Sequence, residues 1–220
     1  MLLQGTVADP SSAASADAST NAVLMGRANN VVLSTVHGGK YFEQCYRGNI
    51  YYASTNTAGV VIPISTTVTP VYSIWNPAGS GKLCVPIVTL IGWTSTTAAL
   101  GSLIWSITTN TGSNFTTAAP IQAFGTGTPV NGYTGAGKTS AMRIATGGTT
   151  TLAAAGTVFR DTGIQLLVTT AASSTAPGWI WRDEWEGMSV IPPGNAIHLL
   201  GTTAVLLTVT ITTVFEEIPL

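Results

Sequence analysis

Leu207-Thr208-Val209-Thr210-Ile211-Thr212 alternates apolar and hydroxyl side chains with a period of two. In an extended chain that period sends successive side chains to opposite faces, so the segment reads as a strand with one buried face and one polar face. Thr suits the outer face because its β-branch favours extended backbone while its hydroxyl meets water or a neighbouring subunit. Leu103-Ile104-Trp105-Ser106-Ile107-Thr108 repeats the pattern less strictly.

Outward from these two stretches, Gly, Pro or Asn interrupts the chain about every ten residues, with β-branched and aromatic residues between. The candidate strands are Val31–Thr35, Tyr41–Tyr46, Ile50–Ser54, Val60–Ile64, Val71–Trp75, Leu83–Trp93, Ser102–Thr109, Met142–Ala145, Val158–Arg160, Gln165–Thr170, Trp179–Arg182, Met188–Ile191, Ala196–Leu200 and Val205–Glu216. Helical character is confined to Thr20–Asn29. Many short strands without intervening helices predict an all-β fold, an antiparallel β-sandwich or jelly roll.

The 220 residues suit one such domain, expected over 31–220 and preceded by an extended arm over 1–30. Residues 5 to 22, GTVADPSSAASADASTNA, offer few side chains to a core, so their order requires contacts from a partner or a fold back onto the domain. Thr109 to Ala136, rich in Gly, Thr, Asn and Pro, reads as a long surface excursion of the kind that makes interfaces.

Charged residues are only 8% of the chain and the net charge is −1, against about 25% charged in an average domain. Such a surface has little electrostatic protection against association and fits a protein that works within an assembly. Eight scattered basic residues give no phosphate-binding patch, so no nucleic-acid partner is expected. No apolar run approaches the roughly 20 residues that cross a bilayer, so no membrane partner is expected either. Met1-Leu2-Leu3-Gln4 lacks the basic and apolar regions of a secretory leader. Cys45 and Cys84 are expected as free, buried thiols of a protein assembled in a reducing cytoplasm.

Gly132-Tyr133-Thr134-Gly135-Ala136-Gly137-Lys138-Thr139 matches the phosphate-loop pattern GxxxxGK[ST]. That loop works only after a buried parallel strand and before a long helix whose N-terminus faces the phosphates. Here loop-forming residues precede it and Gly147-Gly148 follows shortly, so no nucleotide or other cofactor is expected; a phosphate-loop nucleotide-binding protein stays as a second alternative, which nucleotide binding lost on Lys138→Ala would revive. Asn76-Pro77-Ala78-Gly79-Ser80-Gly81-Lys82 departs from the pattern at its first position and reads as a turn between strands.

The densest charge cluster is Trp179-Ile180-Trp181-Arg182-Asp183-Glu184-Trp185-Glu186. Asp183 and Glu184 are adjacent on a strand and point to opposite faces, so they cannot act across one glycosidic bond. Trp179, Trp181 and Trp185 can share a face and are the candidate interface, as an aromatic anchor or a sugar platform. His37 and His198 lack ligand partners at metal-binding spacing, and no GxSxG nucleophile elbow occurs. No catalytic residue and no metal site is expected.

Two stretches carry a resemblance. Gly39-Lys40-Tyr41-Phe42-Glu43-Gln44-Cys45-Tyr46-Arg47-Gly48-Asn49, followed by Ile74-Trp75-Asn76-Pro77-Ala78-Gly79-Ser80-Gly81-Lys82-Leu83, resembles structural proteins of tailed phages, in which an aromatic-rich hairpin precedes such a turn. Ile191-Pro192-Pro193-Gly194-Asn195-Ala196 and then Thr208–Glu217 are similar to the last strands of a viral jelly roll. The matched turns cover about a fifth of the chain and contain no active-site chemistry. The resemblance implies a virion protein assembled in the host cytoplasm: a capsid-decorating or cementing protein in contact with the major capsid protein, or a head-fibre or tail component binding a host receptor or glycan. A homo-oligomer is expected, a trimer above others, since closed symmetry hides charge-poor flanks.

The arm gives the first test. A chain truncated to begin near Asn21 should melt within a few degrees of the full chain yet bind particles poorly. Failure of the truncated chain to fold would place the arm in the domain's own sheet.

Overall fold

A computed structural model describes residues 40–94, 100–109, 129–133, 138–146, 151–152, 154–166, 180–205 and 208–220. The arm over 1–30, the helical piece Thr20–Asn29, the strand Val31–Thr35, His37, Trp179 and most of the Thr109–Ala136 excursion lie outside the described residues. Among the described residues one short helix, α1 (Phe42–Tyr46), precedes eleven strands: β1 (Ile50–Ser54), β2 (Val60–Val61), β3 (Tyr72–Trp75), β4 (Lys82–Trp93), β5 (Gly101–Thr109), β6 (Val130–Asn131), β7 (Arg143–Thr146), β8 (Thr157–Leu166), β9 (Ile180–Glu184), β10 (Asn195–Gly201) and β11 (Thr208–Pro219).

The strands form two antiparallel sheets, β6-β1-β11-β4-β9 with β2 beside β11, and β7-β3-β10-β5-β8. Set aside the short additions β2, β6 and β7, and eight principal strands remain. Among them the first pairs with the last, the second with the seventh, the third with the sixth and the fourth with the fifth: β1 with β11, β3 with β10, β4 with β9, and β5 with β8. The chain is thus one long hairpin rolled into a sandwich, closed by two further seams, β11 on β4 and β10 on β5. This is the jelly-roll topology.

The core lies between the sheets. Tyr51, Ile91, Ile211 and Phe215 from the first sheet meet Tyr72, Ile74, Trp105 and Leu199 from the second, all of them buried. Tyr51 and Phe215 stack, and Tyr72 meets the edge of Trp105. In β11, Val209, Ile211, Thr213, Phe215 and Glu217 are buried while the residues between them are partly exposed, so the alternation read from the sequence orients this strand.

Three strand expectations require correction. Tyr41–Tyr46 is not a strand but holds α1, with the Cys45 amide donating to the Tyr41 carbonyl. Its aromatic residues favour a sheet by type, yet Phe42 and Tyr46 are four apart and stack on one helical face. Gly48, at φ 72°, closes the segment. Val158–Arg160 and the start of the expected strand at Gln165 belong to one strand, β8. Asp161 accepts the Gly163 amide and Gly163 sits at φ 73°, so the apparent turn is a bulge within the strand. Met188–Ile191 is not a strand. Only Ile191 pairs, as an isolated bridge to Cys84, after a turn in which Glu186 and Gly187 hold positive φ.

The turn at Asn76 stands as read. It joins β3 to β4 and crosses from one sheet to the other, with Gly79 and Gly81 at φ 80° and 67°. Asn76 is fully buried: its amide nitrogen donates to the carbonyls of Lys82 and Ile191, and its Oδ1 accepts the Ser80 hydroxyl at 2.6 Å. One side chain therefore ties this turn to the segment that leads into β10. Asn76→Ala should cost about 2–4 kcal/mol, because it leaves buried carbonyls and a hydroxyl without these partners. An unchanged urea midpoint, at unchanged slope, would contradict that role.

Candidate functional site

Strand β9 carries the aromatic and acidic cluster, and its alternation decides what each residue does. Ile180, Arg182 and Glu184 point outward, whereas Asp183 is buried and Trp181 is partly buried against the core. The same inward direction continues to Trp185, whose exposure is 0%. Trp185 therefore offers no surface to a partner, which corrects its expected place in an exposed aromatic platform. Its indole donates to the Thr89 hydroxyl at 3.1 Å, its ring meets Trp105 edge-on at 5.0 Å, and the Arg160 guanidinium lies 4.4 Å from its ring centre.

The carboxylates are parted as the strand geometry requires. Asp183 accepts the Trp105 indole N–H at 2.8 Å and the Arg160 guanidinium at 2.5 Å. Burial pushes its carboxyl above the usual range, while Trp105 and Arg160 pull in the opposite direction. Glu184 pairs with Arg182 on the outer face, and Glu186 pairs with Lys40. Arg160 belongs to the edge strand of one sheet and Asp183 to the edge strand of the other, so this ion pair clasps the two edges.

Of the two expected interface residues that are described, Trp181 keeps partial exposure and Trp185 does not. It stacks on Trp93 with centroids 6.1 Å apart and planes 20° apart. The pair occupies inward-facing positions at the ends of β4 and β9.

A second arrangement has the look of a nucleophile and base. The Ser73 hydroxyl lies 2.6 Å from Nδ1 of His198, and Nε2 of His198 lies 3.0 Å from the Thr108 hydroxyl. Ser73 and His198 are both buried, at 2% and 0% exposure, and a hydroxyl rather than a carboxylate stands behind the ring. Burial lowers the His198 pKa to about 3, so the imidazole is neutral. Its role is to satisfy hydroxyls within the second sheet. Sequence reading assigned His198 to structure but could not find these partners, since they depend on the pairing of β10 with β3 and β5.

The phosphate-loop match also falls in a structural setting. Asn131, just ahead of it, pairs with Tyr51 in an antiparallel ladder, and the described residues 138–142 lead to strand β7 rather than to a helix. Lys138 donates to the Arg47 carbonyl at 2.5 Å. Nearby, buried Glu217 accepts the Ser140 hydroxyl and the Ala141 amide and pairs with Lys82. Cys45 and Cys84 are both free; Cys84 is buried, and Cys45 only partly so.

Among the described residues, an open apolar surface that the sequence reading does not single out is the outer face of the β6-β1-β11-β4-β9 sheet. The registers place Val130, Tyr52, Val214 and Val88 in one row across it, ending at Glu184. The next row runs Ser54, Thr212, Leu90 and Arg182. Val130 is 62% exposed, Tyr52 41% and Leu90 37%, and beyond them Ile180 reaches 72%. At the β1 corner, Tyr46 packs on Tyr133, and Gly132 sits between Tyr52 and Cys45. The second sheet differs at its centre, where the outward residues Ile104, Ser106, Ala145, Ala196, His198 and Leu200 are buried, while its edge strand β8 exposes Val158.

Comparison with protein-family models, curated proteins and solved structures finds no match to this chain, so its own residues must carry any functional reading.

His198 provides a pH test. The folded state holds the ring neutral down to about pH 3, whereas the unfolded chain protonates near pH 6.5. Its contribution is therefore complete above about pH 6.5 and is lost as pH falls toward about 3, by up to ~1.4 kcal/mol per pH unit. Asp183, with its raised pKa, acts in the opposite direction, so the comparison is between the wild type and His198→Gln. The wild type should show the steeper loss in urea midpoint from pH 6.5 to 4; parallel profiles would remove His198 as the cause.

Proposed function

We propose that this chain is a non-enzymatic structural protein of a virion, decorating or cementing a tailed-phage capsid through contacts with itself and with the major capsid protein. The observation that carries this reading is the apolar row Val130, Tyr52, Val214 and Val88 on the outer face of the first sheet, with Leu90 beside it and charges only toward its margins, at Arg182, Glu184 and Glu216. Monomeric proteins rarely leave a contiguous apolar patch of this kind open, and such patches mark interaction sites. The low charge of the chain points the same way, because few like charges oppose close packing in an assembly. Jelly rolls serve capsids, lectins and enzymes alike, so the fold alone decides nothing, and it is the open apolar face that supports the capsid reading.

The test is composition of the particle. In purified particles of the phage that encodes the chain, quantitative mass spectrometry should find it at a fixed, high copy number relative to the major capsid protein. Recovery only in the particle-free fraction would overturn the assignment.

A second reading, a head-fibre or tail component that binds a host glycan, is favoured by one observation, the partly exposed Trp93–Trp181 stack. Parallel indole planes are suited to the flat face of a sugar ring. Glycan-array binding that disappears in Trp181→Ala would support that reading.

A further inference from the structure

We infer that the outer face of the first sheet binds an extended segment of a partner protein, one that brings a lysine or arginine, set between apolar side chains, onto Glu216. The inference rests on the open apolar face of the proposed function and names the chemistry of what covers it.

Glu216 breaks the pattern of the other carboxylates. Asp183, Glu184, Glu186 and Glu217 pair with cations, and Asp161 accepts the Gly163 amide. Glu216 has neither an ion pair nor a hydrogen bond among the described residues. It points outward from β11, the strand between β1 and β4, and is only partly exposed. The registers set Ile50 of β1 on one side of it and Val85 of β4 on the other, while Val214 and Ile218 flank it along β11. A lone carboxylate is therefore ringed by apolar side chains. Burial among them pushes its carboxyl above the usual range, and no neighbouring charge offsets that shift.

The ring decides what can cover this part of the face. A wholly apolar partner would leave a buried carboxylate without a counter-charge, which is costly. An acidic partner is repelled, and a second copy laid face to face brings another Glu216 rather than a cation. A lysine or arginine satisfies both parts of the site, because its charged head meets the carboxylate while its methylene stem lies along Ile50 and Val85. Three strands about 4.8 Å apart make the ring about 10 Å across, far short of the roughly 800 Å² that each partner buries in a standard interface. The occupant is thus a single segment. In an extended segment alternate residues point at the sheet, with the same spacing as Val214, Glu216 and Ile218 along β11. The basic residue is accordingly flanked by apolar residues two positions before and two after it.

A selection lets the face choose its ligand. A ribosome-displayed library of random peptides of about twelve residues is passed over the immobilised full chain, and enriched peptides are titrated against wild type and Glu216→Gln. The enriched sequences should share one Lys or Arg with apolar residues at those two positions. They should bind Glu216→Gln at least about tenfold more weakly; replacing their basic residue by norleucine should weaken binding to wild type by a similar factor and leave binding to Glu216→Gln unchanged. Thermal unfolding shows that Glu216→Gln keeps the fold. Should it unfold, the Glu216 carboxyl carbon of the wild type, followed by NMR, has to shift with the basic peptide and stay in place with the norleucine one.

Failure to enrich any peptide, enriched peptides that lack a basic residue, or equal binding to both chains would overturn the inference. So would a wild-type dimer in sedimentation velocity that the peptides dissociate, which gives the face to a second copy. These outcomes are separate from that of the particle test. A chain counted in particles that selects no basic segment defeats the Glu216 site and leaves the virion reading standing. A chain absent from particles that selects one does the reverse.

Discussion

The two sheets are separate hydrogen-bonded ladders, so the register of one over the other has to come from side chains that cross the gap. Two crossings do this. In one, Tyr72 of the second sheet donates to the Ala53 carbonyl and meets the Thr213 hydroxyl in the first; Thr213 in turn meets Thr89, which accepts the Trp185 indole. In the other, Trp105 of the second sheet donates to Asp183 of the first, which also holds Arg160 from the opposite edge. Every one of these groups sits among apolar residues, where an unpartnered polar atom costs about 1–3 kcal/mol. A displaced register would strand several at once, so directional bonds select one alignment where apolar packing alone would tolerate several.

This dependence explains which parts of the molecule were legible beforehand. Alternation along β11 and β5, and turn chemistry at Asn76, are local properties, and they gave the class of fold and several strands. The burial of Asp183 and Trp185 is not legible in the cluster, because alternation states that residues share a face without saying which face is inside. Asp183 among three Trp residues reads as a surface motif until Trp105 and Arg160, far away in sequence, are seen to complete it. A carboxylate is buried only where partners are brought to it, and those partners come from other strands.

A smaller signal lies in the phase of β11. From Thr208 to Thr212 the hydroxyls fall on even positions, but Thr213 and Val214 break the phase. The structure shows the cost and the use of that break: Thr213 turns inward and joins the crossing network, and Val214 turns outward into the apolar row. A phase slip in an otherwise strict alternation thus marked both the polar crossing in the core and the apolar row on the surface. Without the register to β1 and β4, neither could be placed.

The scarcity of charge acquires a structural meaning from where the charges went. Lys82 with Glu217, Arg160 with Asp183, Arg182 with Glu184 and Lys40 with Glu186 form ion pairs. Glu217 and Asp183 are buried, so two of these pairs clamp the fold rather than coat its surface. A protein with few charges that commits them to internal clamps keeps little net field outside, and long-range electrostatics can neither steer a partner toward it nor hold copies apart. Recognition then falls to contact at short range. Such contacts are weak when few and strong when repeated. The open sheet face and the paired charges are therefore two consequences of one composition.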